Sequence, residues 1–287
     1  MGALLGPGPL LLGRVPHPGT PGDTPVNAHA LPVVAGLRVP ARVLVTGASS
    51  GVGLAMTRQL LANERVGTLY AVSRRASVSA DLGALADRHP GRLLPLDADL
   101  GDENHIRRMA DRIADHTPQL HLVCNAAGLL HAPGLQPEKS VRQVRLEHLQ
   151  RVFAINTFAP VLLAGALLPL LRHGQPCVLA SLSARVGSIG DNRLGGWYSY
   201  RASKAAQNQL LRSFALELAR VNRHACCLLL HPGTVDTPLS APFQARVPAQ
   251  KLFAADRAAR QLLDIIADAG PGDSGRFLAW DGRDIPW

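Results

Sequence analysis

The sequence contains little lysine and few aromatic residues, and both shortages limit the partners that the protein can have. Lysine occurs at positions 139, 204 and 251, so arginine supplies nearly all of the positive side of a formal net charge of +9. The arginines are scattered, no run of five basic residues occurs, and aromatic residues make up 4% of the chain. Nucleic-acid-binding domains usually cluster their basic residues on one face. We therefore expect no nucleic-acid partner.

Cysteine is also scarce, and its placement is that of core residues. Cys124, Cys177, Cys226 and Cys227 lie in or beside apolar, strand-like runs, without the spacing of metal ligands. We expect buried reduced thiols, no metal site and no disulfide framework, which fits the cytoplasm or another reducing compartment.

Long hydrophobic runs are missing as well. The longest, FAPVLLAGALLPLL at residues 158–171, is interrupted by Pro160 and Pro169. It is shorter than the ~20 residues that span a bilayer. It predicts a buried helix, and we expect no transmembrane segment and no membrane partner.

Residues 1–40 lack a sustained period of either secondary structure and are rich in proline and glycine. They predict a disordered N-terminal extension. Arg14 follows the apolar part, so a secretory signal is not indicated. The first acidic residue is Asp23, which suits a mitochondrial presequence, but the segment contains no serine. Organelle targeting and a start codon assigned too early both stay open beside a cytoplasmic location.

The rest of the chain alternates apolar strand-like segments with helical ones. Strands are predicted near residues 42–46, 68–72, 92–96, 120–124, 176–181, 225–230 and 276–280, and helices over 51–63, 103–116, 146–171 and 200–221. Apolar strands that alternate with helices indicate a parallel sheet covered on both faces. We predict one α/β domain over residues 41–287, a doubly wound parallel sheet of the Rossmann type.

A glycine-rich turn follows the first predicted strand. In RVLVTGASSGVG, Gly47, Gly51 and Gly53 lie where a backbone without Cβ atoms could approach a pyrophosphate at the start of a helix. The spacing G-x-x-x-G-x-G departs from the dinucleotide fingerprint G-x-G-x-x-G. A tight strand-to-helix connection with no ligand remains an alternative.

Polar residues follow the next three predicted strands. The second strand ends in Ser73, Arg74 and Arg75, where an NAD-binding domain would carry an acid. An arginine there can pair with a 2′-phosphate, so NADP is favoured and NAD remains possible; solvated surface arginines are the alternative. Asp97 and Asn125 end the third and fourth strands, where such sheets bind ligands, although Asx turns would explain them equally well.

The segment YSYRASK carries the chemistry that we expect. Tyr200 and Lys204 are four positions apart and share a helix face, whereas Tyr198 and Lys204 do not. A nearby ammonium is expected to lower the pKa of the phenol, so that the pair can move a proton.

Two further polar residues complete a candidate catalytic group. Ser183, just past the fifth strand, is the best candidate to orient a carbonyl oxygen, with Ser181 and Ser188 as alternatives. Asn156, in an otherwise apolar helix, could hold a water that links Lys204 to solvent, or merely satisfy a neighbouring backbone group.

These segments together resemble the short-chain dehydrogenase/reductase family. TGASSGVG, NAAG, YRASK and PGTVDTP occur in the family's order, and the resemblance covers essentially residues 41–287. It implies that Tyr200 is the general acid/base, that Lys204 binds the nicotinamide ribose and lowers the tyrosine pKa, that Ser183 orients the substrate and that Asn156 supports a water relay. The long stretch between Ser183 and Tyr200, with the ending AWDGRDIPW, resembles the branch of C-factor-like and sniffer-like carbonyl reductases.

The resemblance also implies a set of cofactor-binding positions. Asp97 is assigned to the adenine, Asn125 and Ala126 to the cofactor-facing strand end, and Val235 and Thr237 to the nicotinamide carboxamide. The full set is Gly47, Ser49, Ser50, Gly51, Val52, Gly53, Arg74, Asp97, Ala98, Asn125, Ala126, Tyr200, Lys204, Pro232, Gly233, Val235 and Thr237.

The substrate side indicates an uncharged small-molecule carbonyl or alcohol. The apolar residues expected near the cleft are Leu129, Leu130, Leu194 and Trp197, although each could equally be a core or subunit contact, and Arg193 and Arg246 are the nearby cations. In the family, the segment after PGTVDTP forms a mobile lid, and many members form homodimers or homotetramers. A nucleotide-binding sensor without turnover is the alternative function on the same fold.

Overall fold

The computed structural model describes residues 32–287. The predictions made for residues 1–31, namely disorder and organelle targeting, lie outside the described residues. The remainder of the predicted extension differs from expectation. Residues 32–40 form no helix or strand, yet Val33, Val34 and Leu37 are buried and belong to the core. The prediction of disorder through residue 40 is wrong for this part, because its apolar residues cover sheet and helix surface that would otherwise meet water.

Seven parallel strands form the central sheet, in the order β3-β2-β1-β4-β5-β6-β9. Their bounds are β1 Ala41–Thr46, β2 Val66–Ser73, β3 Leu93–Asp97, β4 Leu122–Asn125, β5 Cys177–Leu182, β6 Ala225–His231 and β9 Phe277–Ala279. A separate parallel pair joins β7, Thr234–Val235, to β8, Leu252–Phe253. The predicted doubly wound parallel sheet is confirmed.

Within residues 32–287, seven α-helices cover the sheet. They are α1 Gly51–Ala62, α2 Ala80–Arg88, α3 Glu103–His116, α4 Leu146–Phe153, α5 Ala159–Leu171, α6 Tyr198–Val221 and α7 Ala255–Asp268. Two clusters of buried residues lie on the two faces of the sheet, one packed with α1 and α7 and the other with α3, α5 and α6. The strands face both clusters, which explains why they are apolar without alternation.

The order of the strands in the sheet predicts where a ligand binds. The sheet runs from β1 to β2 and β3 in one direction and from β1 to β4, β5 and β6 in the other. In such sheets, ligands bind at the carboxyl ends of the strands where the strand order reverses, which here is between β1 and β4.

The helical run Leu146–Leu171 contains an irregularity and is unusually long and apolar. Between α4 and α5, residues Ala154–Phe158 form a π-helical turn. By length and composition the whole run could cross a membrane, but half of its most apolar part is buried within the structure. Since the core helix of a folded protein meets the same criterion, the absence of a membrane partner stays a prediction.

Candidate active site

The turn between β1 and α1 has the geometry that its glycines predict. Gly47 and Gly51 have φ angles of +66° and +52°, which strain any side chain other than glycine. At Gly53 a Cβ would lie 2.2 Å from the carbonyl oxygen of Gly47, so only glycine fits. The N-cap residue Ser50 makes no side-chain cap, and the first turn of α1 has no acid. Backbone N–H groups of this helix end are therefore left for an anion such as a pyrophosphate.

Two other predicted cofactor segments pack against this turn. A Cβ at Gly47 would lie 3.0 Å from the backbone of Ala126, which follows β4. A Cβ at Gly51 would lie 3.1 Å from the methyl group of Thr237, which follows β7. The segments TGASSGVG, NAAG and PGTVDTP therefore meet at one edge of the sheet, with Ser49, Ser50, Val52, Pro232, Gly233 and Val235 among their residues.

The ends of β2 and β3 form the side of this edge farther from β4. Ser73 pairs with Asp97 across the two strands, and Arg74 and Arg75 are exposed beside them. The Asp97 carboxylate accepts hydrogen bonds from the N–H and hydroxyl of Ser77, at 2.8 and 2.5 Å, which lower its pKa. Ala98 donates its N–H to the carbonyl of Ser73, and the Ser73 hydroxyl oxygen is buried with no partner within residues 32–287.

Tyr200 and Lys204 lie one turn apart on the buried face of α6. The exposed fraction of Tyr200 is 8% and that of Lys204 is 3%, whereas Tyr198 is 42% exposed. The Lys204 ammonium lies 6.0 Å from the centre of the Tyr200 ring. It donates to the Leu182 carbonyl at 2.9 Å and to the Gln207 side-chain oxygen at 2.8 Å. The Tyr200 hydroxyl is free to meet a ligand, because it has no hydrogen-bond partner within the described residues.

The pKa of Tyr200 differs from the sequence-based expectation. Burial raises it to about 12, and burial lowers the pKa of Lys204 to about 7. The predicted lowering of the tyrosine pKa by the ammonium is therefore wrong for the protein without cofactor. Desolvation is the cause of both shifts, since both groups are removed from water and the ammonium donates to β5 and Gln207 rather than to the phenol.

The three candidate serines differ in where their hydroxyl groups point. Ser183 donates to the side-chain oxygen of Asn208 at 2.6 Å and makes no bond to Tyr200. Ser181 is fully buried and accepts from two amides, so it does not face the cleft. The Ser188 hydroxyl accepts from the N–H of Asp191 and stabilises the loop before α6. Ser183 stays a prediction as the orienting group.

Asn156 lies in the π-helical turn and connects two parts of the site. Its side chain accepts from the N–H of Leu129 at 2.8 Å and donates to the Leu129 carbonyl at 2.8 Å and to the Ser203 hydroxyl at 3.1 Å. Ser203 in turn donates to the Tyr200 carbonyl. Asn156 therefore satisfies neighbouring backbone groups, one of the two roles that the sequence leaves open, and its part in a water relay stays a prediction.

Sequence reasoning missed three buried polar residues around α6. Gln207 contacts Lys204, Asn208 contacts Ser183, and the Glu138 carboxylate accepts from the N–H and the hydroxyl of Ser199 at the start of the helix. A signal was available for the first two. They lie three and four positions after Lys204 and therefore continue the face that carries Tyr200.

Aromatic residues from three separate segments meet beside Tyr200. The Trp197 ring lies 6.2 Å from the Tyr200 ring and 5.1 Å from that of Phe243, and Phe243 lies 5.7 Å from His131. The His131 ring also contacts the carbonyl of Pro238 at 3.1 Å. Phe243 belongs to the segment predicted to be a lid, so this segment lies over the candidate site. Leu194 is 92% exposed, and Arg193 and Arg246 are exposed.

The remaining predictions on metals and thiols concern the described residues. Among residues 32–287, no group of three or more histidine, cysteine, aspartate or glutamate side chains could hold a metal ion. All four cysteines are free and buried, as expected.

Comparison with known proteins places these motifs in a family. Residues 41–247 match the model of the short chain dehydrogenases. The chain is 31% identical over 245 residues to a 1-hydroxy-2-glutathionyl-2-methyl-3-butene dehydrogenase from Rhodococcus sp. strain AD45, covering 85% of this chain and 99% of that protein.

Two solved structures share the whole architecture. A carbonyl reductase from chicken fatty liver, solved with NADPH bound, has a TM-score of 0.77 and 29% identity, covering 88% of this chain and all of the other. The carbonyl reductase Sniffer of D. melanogaster has a TM-score of 0.76 and 25% identity, covering 87% of this chain and all of the other. These similarities confirm the carbonyl-reductase-like branch that the motifs predicted.

Proposed function

The chain belongs to the short-chain dehydrogenases, a family of oxidoreductases, and from this premise we propose that it is an NADP-dependent carbonyl reductase in which Tyr200 supplies the proton. The observation that carries the proposal is a juxtaposition. The Tyr200 ring, whose hydroxyl has no protein partner within the described residues, lies 6.0 Å from the buried ammonium of Lys204. That ammonium is bonded at the carboxyl end of β5, on the sheet edge that also carries the glycine turn.

The residues of this chain divide the work in the following way. The bound nicotinamide would supply the hydride. Tyr200 then gives its proton to the oxygen of the reduced carbonyl, and Lys204 stabilises the phenolate that forms. A tyrosine whose pKa is about 12 keeps its proton at neutral pH and is in the form that donates a proton to the reduced carbonyl. Lys204 would also donate to the ribose hydroxyls through the hydrogen not used by Leu182 and Gln207.

Exposed arginines support NADP as the cofactor. Arg74 and Arg75 follow β2 directly and make no ion pair within the described residues, so both are free to pair with a 2′-phosphate. The unpartnered hydroxyl of Ser73 lies in the same place. In addition, the solved carbonyl reductase from chicken fatty liver contains NADPH.

The aromatic residues beside Tyr200 favour an uncharged, apolar carbonyl substrate. Trp197, Phe243 and His131 offer ring surfaces, and no acidic side chain is among them. Aromatic rings bind flat apolar groups through area and edge-to-face contacts. Cyclic or aryl ketones are therefore the substrates to test first.

Nucleotide binding is the first test. NADPH and NADH are titrated by fluorescence against the wild type, Arg74→Ala and the control Arg220→Ala, which removes an exposed arginine from the last turn of α6. We expect the wild type to prefer NADPH, and Arg74→Ala to weaken NADPH binding about 10- to 100-fold while leaving NADH binding unchanged. The control should behave as the wild type does.

Turnover is tested with NADPH and a panel that includes benzil and cyclopentanone. Tyr200→Phe is expected to lower kcat about 10²- to 10⁴-fold with little change in the Kd for NADPH, since the ring stays and only the proton donor is lost. A protein that binds neither nucleotide would overturn the proposal. Binding without turnover of any carbonyl would favour the nucleotide sensor instead.

A further inference from the structure

We propose that Gln207 is a positioning residue, which holds the Lys204 ammonium against β5 and sets the pH range over which that ammonium stays charged. The catalytic consequence rests on the proposed function, because Lys204 matters to catalysis through Tyr200. The effect of Gln207 on the charge of Lys204 depends on no substrate.

Every polar atom of Gln207 is used. The residue is fully buried on α6, its side-chain oxygen accepts from Lys204 at 2.8 Å, and its amide donates to the Ser181 hydroxyl at 2.8 Å and to the Leu182 carbonyl at 3.2 Å. A buried amide is costly unless its donors and acceptors are all paired. An apolar residue would fill the same space at no such cost, so the glutamine is explained by the atoms that it contacts.

Gln207 also joins Lys204 to a chain of buried hydrogen bonds that begins at the nucleotide turn. Thr46, the last residue of β1, donates to the Asn125 side chain at 2.6 Å, and Asn125 donates to Ser181 at 2.8 Å. Ser181 accepts from Gln207, which accepts from Lys204. The chain fixes the position of the ammonium relative to β1, β4 and β5, the strands that carry the proposed cofactor site.

The surroundings of Lys204 leave the ammonium with few compensating contacts. Of its three hydrogens, one is donated to Leu182 and one to Gln207, and no carboxylate forms an ion pair with it within residues 32–287. Burial lowers its pKa to about 7. Two neutral oxygen atoms therefore stabilise the ammonium in place of a counter-ion, and Gln207 provides one of them.

The groups that contact Lys204 from neighbouring elements, the Leu182 carbonyl and Gly187, are not ionisable. Tyr200 is the titratable neighbour of Lys204 on the same face of α6, β5 presents Ser181, Leu182 and Ser183, and the 3₁₀ turn Arg185–Gly187 presents Gly187, in close contact with the lysine. Two histidines lie on other elements packed against α6, His148 on α4 and His231 at the end of β6, and burial lowers the pKa of His231 to about 4. Arg185 on that turn is paired with Asp191 at 2.7 Å. A change at Gln207 should therefore be read out by Lys204 itself.

The chain offers a direct measurement of this charge. It has three lysines, and Lys139 and Lys251 are exposed, so protein labelled with ¹³C at the lysine Cε gives few signals, of which that of Lys204 is assigned with Lys204→Arg. The Cε shift is followed from pH 5 to 10 in the wild type, Gln207→Leu, Gln207→Glu and Gln209→Leu. Gln209 is exposed on the same helix and is the matched control.

We expect the two variants at position 207 to move the Lys204 titration in opposite directions. Gln207→Leu removes an acceptor from the charged form, so the midpoint falls by roughly one pH unit or more. Gln207→Glu places a carboxylate there, so the midpoint rises. Gln209→Leu should titrate as the wild type does.

Nucleotide binding measured over the same pH range separates this proposal from the proposed function. As the pH is raised, we expect NADPH affinity to begin to fall at a lower pH in Gln207→Leu than in the wild type, because the ammonium loses its proton at a lower pH.

The outcomes distinguish the two proposals. If the Lys204 midpoint shifts but no variant binds NADPH, the proposed function is wrong and the role of Gln207 stands. If the midpoints in both Gln207 variants equal that of the wild type, while only thermal stability falls, Gln207 is structural and the proposal is overturned. Should Gln207→Leu not fold, the upward shift in Gln207→Glu decides alone.

Discussion

At the scale of single residues, burial determines the pKa values of Tyr200 and Lys204 more strongly than the two groups influence each other. Tyr200 and Lys204 are neighbours on one helix face, yet the pKa of the phenol rises to about 12 and that of the ammonium falls to about 7. Each shift disfavours the charged form, as expected where water is excluded from both. At neutral pH the Tyr200 phenol is therefore protonated and can donate its proton.

Trp197 has a strained backbone conformation beside the candidate site. Its φ and ψ angles are 51° and 43°, and it is the one residue other than glycine with positive φ among the described residues. Its N–H donates to the Glu138 carbonyl at 2.5 Å, which holds this conformation. A left-handed tryptophan costs about 1 kcal/mol or more relative to a relaxed backbone. The ring contacts with Tyr200 and Phe243 give the reason to keep it.

The Trp197 ring and its strained backbone can be tested apart. Trp197→Ala and Trp197→Gly both remove the ring, so each should raise KM for an aryl ketone about 10-fold, with NADPH binding unchanged. Only glycine relieves the backbone, so the glycine variant should unfold with about 1 kcal/mol more free energy than the alanine variant. Ketone kinetics and urea unfolding check the two effects. An unchanged KM in both variants would show that the ring does not contact substrate.

At the scale of elements, helix α6 is the part of the fold that assembles the catalytic group, and it is held at three levels. Glu138 binds its first turn through Ser199, Gly187 lies against it at Lys204, and its polar side chains bind the end of β5. Tyr200 is therefore placed by contacts from segments far apart in sequence.

The contact at Gly187 gives an element-scale prediction. A Cβ there would lie 2.8 Å from the Cβ of Lys204 and 3.0 Å from its carbonyl carbon, so Gly187→Ala must push the helix or the preceding turn away. We expect the free energy of unfolding to fall by about 1–3 kcal/mol, together with a loss of NADPH affinity through Lys204.

A second glycine provides the matched control for Gly187. Gly83 lies in α2, and a Cβ added there would have no atom of residues 32–287 within 4 Å. Gly83→Ala should therefore leave binding unchanged and add up to about 1 kcal/mol of stability through helix propensity. Urea unfolding and NADPH titration check both variants. Equal behaviour of the two would mean that the turn at Gly187 yields without moving Lys204.

The sequence predicted elements better than it predicted contacts. The strand near residues 42–46 and the helix over 103–116 are found almost at the predicted bounds, because their apolar periodicity is local information. The positions of Tyr200 and Lys204 on one face follow from helix geometry alone. The partners of Lys204 were not predicted, since the pairing of Gln207 with Ser181 depends on how α6 lies on β5. For the same reason the expected direction of the tyrosine pKa was wrong: it depends on burial.

At the scale of the whole molecule, the two apolar clusters cover both faces of the sheet. They also enclose some polar groups whose hydrogen bonds are incomplete. His121, just before β4, is fully buried; its Nδ1 accepts from the N–H of Arg42 at 3.0 Å, and its Nε2 has no partner within the described residues. Burial, with further contributions from His173 and Arg42, lowers its pKa to about 4. The folded protein therefore requires this histidine to be neutral.

Acid should consequently destabilise the molecule through its core. The unfolded chain binds a proton at His121 near pH 6.5, whereas the folded chain does so only near pH 4, so stability present above pH 6.5 is lost as the pH falls through this window. At pH 5 the loss from this one residue is about 2 kcal/mol.

The variant His121→Asn tests this. It keeps an acceptor for the Arg42 N–H but cannot titrate there. We expect the variant to be less stable than the wild type at pH 7 because it leaves a small cavity, yet to lose about 2 kcal/mol less between pH 7 and pH 5. Urea unfolding at the two pH values measures the difference, and a variant that keeps the full wild-type loss would show that His121 is not the group that makes the fold sensitive to acid.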